Sequence, residues 1–585
     1  MTEQPSTRRR TERGAAMVLG AIFFAFLALP LCAVGVDTAR WWVEAQRLQA
    51  AADAASTAGV TYMPDDFAAA KARALQIATI NGYTAGGGTT VTIAPGDRPT
   101  QLKVTITQTV DNFFAKSFGV DTSTISRGAM ADYNGPAPMG SPCNTFGNEP
   151  AGGSTTSGPV ASQLTGMVPT LANCSTNPQY WANIGGPDWP KNNGDQFMTR
   201  SCAGGTAGCT GTKNDEFDPL GYFYVVRVGP SAVNKSVRIQ LYDPAFVAQG
   251  DFCERGPLGI EVTANAWNPY TSTDAIDRYK KQASGATNSF CTGDVASTPV
   301  PTITSFGLRG VVASKDPRQA PPLSTCVRQY PGYATASLRG DTLLGSPPAA
   351  TYDDDLAKVF HQWVTMCDFT PTEAGDYYIQ VRTNVALNTS SPDGNGGYQG
   401  NMAVYNQTTD NPAVGGGGGN RFAIRAFGSG ISAGDLSVSA HERMAIYANA
   451  TGANSEFNLV RVIPSAAGKT LVFGFFDVGE AASGGTMQVM PPADSNMSSN
   501  IAGCKGSGVV NGTLTDCKIT GIQSSGWNGK QQFIRVPIPT NYSCTTSSQG
   551  GCWFRVGVNF GGGNVVNDST TWTAKIEGEP VRLVE

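Results

Sequence analysis

Ala15 to Val36 is a run of 22 residues without a charge, and it constrains the fold of this 585-residue chain more than any other stretch. As a helix rising about 1.5 Å per residue it would reach roughly 33 Å, enough to cross a hydrocarbon layer of about 30 Å. Arg8, Arg9, Arg10 and Arg13 precede it, and a local Lys/Arg excess keeps that side of a span in the cytoplasm. The pattern predicts a cytoplasmic basic tail over 1–14, a transmembrane helix over 15–36, and the remaining mass outside. A cleaved signal peptide would need a core of about 7 to 15 residues and an A-x-A-like cut site. This core is longer and offers only Leu31-Cys32-Ala33.

Beyond Asp37 no Gly or Pro interrupts the chain until Gly59, and Trp41, Ala45, Leu48, Ala52 and Ala55 recur at 4-3-4-3 spacing. That spacing places them on one narrow face of a continuing helix. Small side chains admit close approach, so the stripe either packs on its own domain or is a docking face for another subunit.

The order ERGAAMVLGAIFF, GVDTAR, RLQAAADAASTAG resembles the N-terminal segment of TadG-like proteins of the tight-adherence (Flp) pilus-assembly system. The resemblance is close over Gly14 to Gly59. TVDNFFAKSFGVDTSTISRGAMADY at Thr109 to Tyr133 extends it, more loosely, through the first 135 residues. Members of that system cut by prepilin peptidase carry Glu at the fifth place after a glycine, where this chain, counted from Ala15, has Leu19. The resemblance is therefore to the uncleaved branch. It implies a non-enzymatic envelope protein whose partners are the membrane and pilus-assembly proteins or pilin-like subunits. Many TadG-like proteins also carry a metal site with a D-x-S-x-S motif. Asp121-Thr-Ser-Thr-Ile lacks the second serine, so that site is not carried over.

After the long helix the sequence predicts a small α+β unit, pilin-like in plan, ending at 135. Asp65 or Asp66 is placed to cap a helix ending at Ile80, stopped by Asn81-Gly82. Val91 and Ile93, then Leu102, Val104 and Ile106, alternate with polar residues as two strands joined near Pro95-Gly96. A short helix over Phe113 to Phe118 and a last strand ending near Tyr133 complete it. Residues 136–158 have the composition of a linker.

The rest reads as two all-β sandwich (jelly-roll-like) domains, 159–430 and 431–585. With 70 Gly, 36 Pro and 15% charged residues, the chain suits short strands and many turns. FYVVRVGPSAVNKSVRIQLYD at Phe223 and FNLVRVIPSAAGKTLVFGFFD at Phe457 agree at nine of 21 positions without a gap. Each reads as strand, Pro-Ser turn, strand, so one β unit occurs twice. GDYYIQVRT at Gly375 and NRFAIRAFG at Asn420 in the first copy correspond to CWFRVGVNF at Cys552 and TTWTAKIEG at Thr570 in the second.

Twelve of the 13 cysteines follow residue 140, eight over Cys143–Cys367 and four over Cys504–Cys552. Even blocks in an exported chain indicate disulfides. Cys202 with Cys209 is a candidate pair. The short, turn-rich separations favour Cys504 with Cys517 and Cys544 with Cys552.

A net charge of −4 gives no basic footprint for nucleic acid. The chain has no P-loop or H-E-x-x-H motif, so no catalytic residue is named and a hydrolase is the least favoured class. No cofactor is expected. Calcium candidates are Asp243, Asp477 and the Asp393-Gly-Asn-Gly loop, with Asp353 to Asp355 as a further acidic cluster, although aspartates at strand ends more often shape turns. Arg339-Gly-Asp is a three-residue match only. A surface adhesin that binds glycans through the sandwiches is the alternative function, with Trp181, Trp189, Trp267 and Trp527 as stacking candidates if they are not core rings.

Overall fold

A computed structural model describes residues 8–583 apart from 24–28, 64–66, 97–100, 134–136, 141, 143–144, 148–179, 203–210, 212, 247–293, 297–301, 313–314, 331–362, 384–390, 393–397, 400–415, 433, 451–453, 480–483, 546–549, 561–565 and 578–580. The chain divides into two units, residues 1–135 with 579–585, and residues 136–578.

In the N-terminal unit, α1 spans Arg8–Phe23, α2 Leu29–Val60 and α3 Phe67–Ile80. Among the described residues no helix is long and apolar enough to cross a membrane. The expected transmembrane helix over 15–36 is thereby overturned. Residues 15–23 of the uncharged run fall in α1, which begins with three arginines and whose 16 residues reach about 24 Å, residues 29–36 fall in α2, whose uncharged part ends at Asp37, and 24–28 lie outside the described residues.

The stripe on α2 faces inward. Ala45, Leu48, Ala52 and Ala55 are buried, and Leu48, Ala52 and Ala55 form one core with Ala70, Ala74 and Ala78 of α3 and with Leu102, Val104 and Ile106. Alanines on both helices allow the close approach that the spacing foreshadows. Gly59 carries it furthest: a Cβ there would lie 2.6 Å from Leu102 Cδ2 and 2.7 Å from the Ala70 carbonyl oxygen. α3 stops where Gly82 takes φ 92° and the Tyr83 N–H donates back to the Ala78 carbonyl at 2.9 Å, a glycine-dependent helix end.

Under the helices lie β1 (Thr89–Pro95), β2 (Gln101–Asp111) and β3 (Thr122–Tyr133), antiparallel in that order. Leu102, Val104 and Ile106 are fully buried while the intervening Lys103 is exposed, the period-two signature of a half-buried strand. Each such side chain contributes roughly 1.5 to 3 kcal/mol. The strand Val581–Leu583 adds to the far edge of β3, with Val581 opposite Tyr133 and Leu583 opposite Ala131.

Among the described residues the second unit is almost entirely β, in two twelve-stranded sheets, and the described chain is mostly β-sheet with few helices. Its central strands are β4 (Tyr180–Gly185), β5 (Tyr222–Val228), β6 (Val237–Tyr242), β7 (Gly375–Thr383), β8 (Gly418–Gly428), β9 (Leu436–His441), β10 (Arg443–Ala450), β11 (Asn454–Arg461), β12 (Thr470–Phe476), β13 (Trp553–Asn559) and β14 (Val566–Ile576). The repeated segments are β5–β6 and β11–β12, each bent at a 3-10 turn, Pro230–Ala232 and Pro464–Ala466. In each copy the chain leaves one sheet and enters the other.

Corresponding strands have corresponding neighbours. β5 pairs with β7 and β11 with β13; β6 pairs with β8 and β12 with β14. One sheet has the central order β7-β5-β9, then the short strand Pro138–Met139, then β11-β13; the other runs β6-β8-β4-β10-β14-β12. Read outward from the middle, the two halves mirror each other, as an approximate two-fold axis through both sheets requires. The halves share both sheets and one continuous core, so two freestanding sandwiches are corrected to one double sandwich. Phe422 of β8 shows the packing: its ring meets Phe306 edge-on at 5.0 Å and Tyr224 at 6.1 Å. Thr571 of β14 accepts the Gln196 N–H at 2.9 Å and donates to the Gly194 carbonyl at 2.7 Å, tying the first half to the second.

Candidate functional site

Asp37 is the first charge after the apolar run. Its carboxylate reaches the segment between β2 and β3, accepting the backbone N–H groups of Phe113 at 2.9 Å, Phe114 at 3.0 Å and Ala115 at 2.7 Å. These N–H groups open the 3-10 turn Ala115–Phe118, which has no side-chain cap of its own at its N-cap residue. Asp37 thus satisfies, from a distant part of the chain, the donors that a helical start leaves unpaired. Burial pushes its pKa up, but the three N–H groups and the nearby Arg40 charge outweigh that and hold it below the ordinary 3.8.

The next turn of α2 completes the clamp. Arg40 Nη1 donates to the Asp111 carbonyl at 2.7 Å, and its guanidinium lies 4.6 Å from the centre of the Phe113 ring. Trp41 Nε1 donates to Asn112 Oδ1 at 2.9 Å. Asn112 Nδ2 in turn donates to the Val120 carbonyl at 2.9 Å, and its Oδ1 accepts the Ser123 hydroxyl at 3.0 Å. Positions 37, 40 and 41 share one helix face by their i, i+3, i+4 spacing. Sequence reading placed Trp41 in the apolar stripe and missed Asp37, Arg40 and Asn112. Asp37 and Arg40 at that spacing directly after an uncharged run, with Trp41 beside them, were the available signal.

What this clamp holds outward is apolar. Phe113 is 66% exposed, Phe114 46%, Phe118 71% and Val120 50%. Val34, Val36 and Trp42 of α2 are exposed as well. A loop so firmly bonded underneath, with rings on its outer side, is a preformed contact surface.

The other candidates are placed as follows. Asp243 and Asp477 stand immediately after β6 and β12, both buried, with left-handed φ of 51° and 65°. Asp477 accepts the Gly529 N–H through Oδ1, the behaviour of a turn-forming aspartate. No group of three His, Cys, Asp or Glu able to hold a metal occurs among the described residues. Asp393, Asp353 to Asp355, Arg339-Gly-Asp and Trp267 lie outside the described residues. Trp181, Trp189 and Trp527 are buried at 0, 5 and 3% exposure, which removes them as sugar-stacking surfaces. Asp121 is exposed beside the start of β3.

Cys504 is joined to Cys517 and Cys544 to Cys552, with Cα atoms 5.2 and 5.3 Å apart. A further bond, Cys326–Cys367, links one sheet to the other. Cys202 is disulfide-bonded, and Cys209 lies outside the described residues. A cleft of about 270 Å³ in the second unit is lined by Glu456, Asp494, Trp553 and Arg555 among others. Its charged groups are engaged with neighbours: Arg555 pairs with Glu456, and Asp494 accepts the N–H groups of Thr545 and Cys552.

Residues 14–71 match the family model described as putative Flp pilus-assembly TadE/G-like. The matched segment contains the uncharged run, all of α2 and the clamp residues Asp37, Arg40 and Trp41, and the N-terminal unit is accordingly TadG-like. The match implies involvement in Flp/Tad pilus assembly and association with the cell envelope. No curated protein and no solved structure matches the chain.

Proposed function

We propose that this chain is a non-catalytic component of a Tad-type pilus-assembly system at the bacterial cell envelope, engaging pilus-assembly proteins or pilin-like subunits through its N-terminal unit. The observation that carries this reading is the family match over residues 14–71. The clamp supports it, because it joins the two segments that carry the TadG resemblance, GVDTAR and TVDNFFAKSFG, into one rigid surface. The double sandwich, with its sequestered aromatic core and cross-linked sheets, then acts as a stable extension rather than as a reaction centre. Deleting the gene and restoring it in trans tests the proposal: pili are expected to disappear and return, and the full chain to co-purify with pilus-assembly proteins. Undiminished piliation in the deletion strain would contradict it.

A further inference from the structure

We infer that the Phe113–Val120 loop, together with Trp42, Val34 and Val36, is a seat for a lipid bilayer surface, entering the interfacial layer without crossing it. The distribution of exposed apolar side chains motivates this. Of the sixteen large hydrophobic residues exposed among the described residues, only Val509 and Phe533 belong to the second unit. The rest fall in the N-terminal unit, and eleven of them are in the uncharged run 15–36 or the phenylalanine loop. Val36, the last residue of that run, precedes Asp37, whose carboxylate holds Phe113, Phe114 and Ala115. The loop is therefore fixed at the point where the uncharged run ends.

This continuity favours lipid over a protein partner. Met17, Val18, Leu19, Ile22 and Phe23 of the same run are also exposed, and a bilayer surface accepts such unlike apolar segments together without a matching shape. Trp42, 66% exposed, is the ring type that settles at membrane interfaces. Nearby charges balance, Arg40 and Lys116 against Asp111 and Asp121, while Asp37 is engaged beneath the loop. The seat is accordingly apolar rather than electrostatic and should hold on uncharged lipid. Because the clamp fixes the loop in advance, little ordering entropy opposes insertion.

The inference rests on the envelope location implied by the family match, but its test does not involve pili. The full chain would be mixed with phosphatidylcholine vesicles and floated on a density gradient. Phe113→Ser with Phe118→Ser is expected to lower partitioning at least tenfold, whereas Val509→Ser leaves it unchanged. The uncharged run can itself bind lipid, so a second measurement reads the loop directly: Phe118→Trp should gain fluorescence that dibrominated phosphatidylcholine quenches. Absence of that quenching overturns the inference even if the chain floats. Equal partitioning of the double-serine variant overturns it too, as does a change in oligomeric size in that variant without any change in lipid binding, which would assign the loop to a second copy of the chain.

Discussion

The two units bury their apolar side chains to opposite degrees. Among the described residues the double sandwich encloses nearly all of them, packing rings such as Phe422, Phe306 and Tyr224 edge to face in a single core and linking its sheets by Cys326–Cys367. The N-terminal unit is packed with alanines and one close-fitting glycine, and it leaves phenylalanines outside, held by hydrogen bonds from beneath. A unit that encloses its described apolar residues, Val509 and Phe533 apart, presents little apolar surface. One that secures apolar residues on its surface with a buried carboxylate is built to meet something else.

The contrast should first appear in stability. Phe422→Ala empties a fully buried ring site in the sandwich and should cost about 3 to 5 kcal/mol. Chemical denaturation should show the β transition moving while the helical transition of the N-terminal unit stays in place. A shift of both together would show that the two units are not energetically separate.

A smaller effect is expected from Gly59→Ala. The added methyl meets the Ala70 carbonyl oxygen and the Ala74 methyl, groups with little freedom to yield, so α2 and α3 must separate at a cost of about 1 to 3 kcal/mol. Helical signal should melt earlier and the sandwich should not. An unchanged helical transition would mean that the contact between α2 and α3 is looser than the alanine faces indicate.

The clamp gives the most local effect, and it depends on pH. The pKa of Asp37 is lowered on folding, so its contribution is present above the ordinary carboxylate value and is lost as pH falls through the lower, folded one. Pepsin cleavage between Phe113 and Phe114, normalised to a control peptide, should be slow near pH 5 and accelerate below about pH 4. Asp37→Asn should be cleaved readily throughout. Equal resistance of the two proteins would show that the carboxylate does not hold the loop.

Much of this architecture is legible in local pattern. The Ala/Leu spacing of α2, the alternation in β2, the Asn81-Gly82 stop and the repeated Arg-Val-x-Pro-Ser-Ala arches all announce their elements, because each depends on residues close in sequence. The repeat also marked β7 and β13 as corresponding strands, and each pairs with the first strand of its arch. Two features were hidden. The merging of both copies into shared sheets depends on pairings between distant strands, such as β9 with β5 and Pro138–Met139 with β11, which no local pattern encodes. The clamp joins Asp37 to Phe113 across 76 residues, and a polar residue on a helix does not reveal which distant N–H groups it will meet. The uncharged run misled because hydropathy counts residues without regard to the helices that carry them, and here α1 opens on arginines while α2 runs on into Asp37 and Arg40.

The central claim is that the N-terminal unit, through the surface its clamp presents, is the part of the chain that serves pilus assembly. The most direct test is the pilus count of cells carrying Phe113→Ser with Phe118→Ser at the native locus, beside cells carrying Val509→Ser, at equal protein levels. The account predicts that pili are lost in the first strain and retained in the second. Full piliation in the first strain, or equal loss in both, would contradict it.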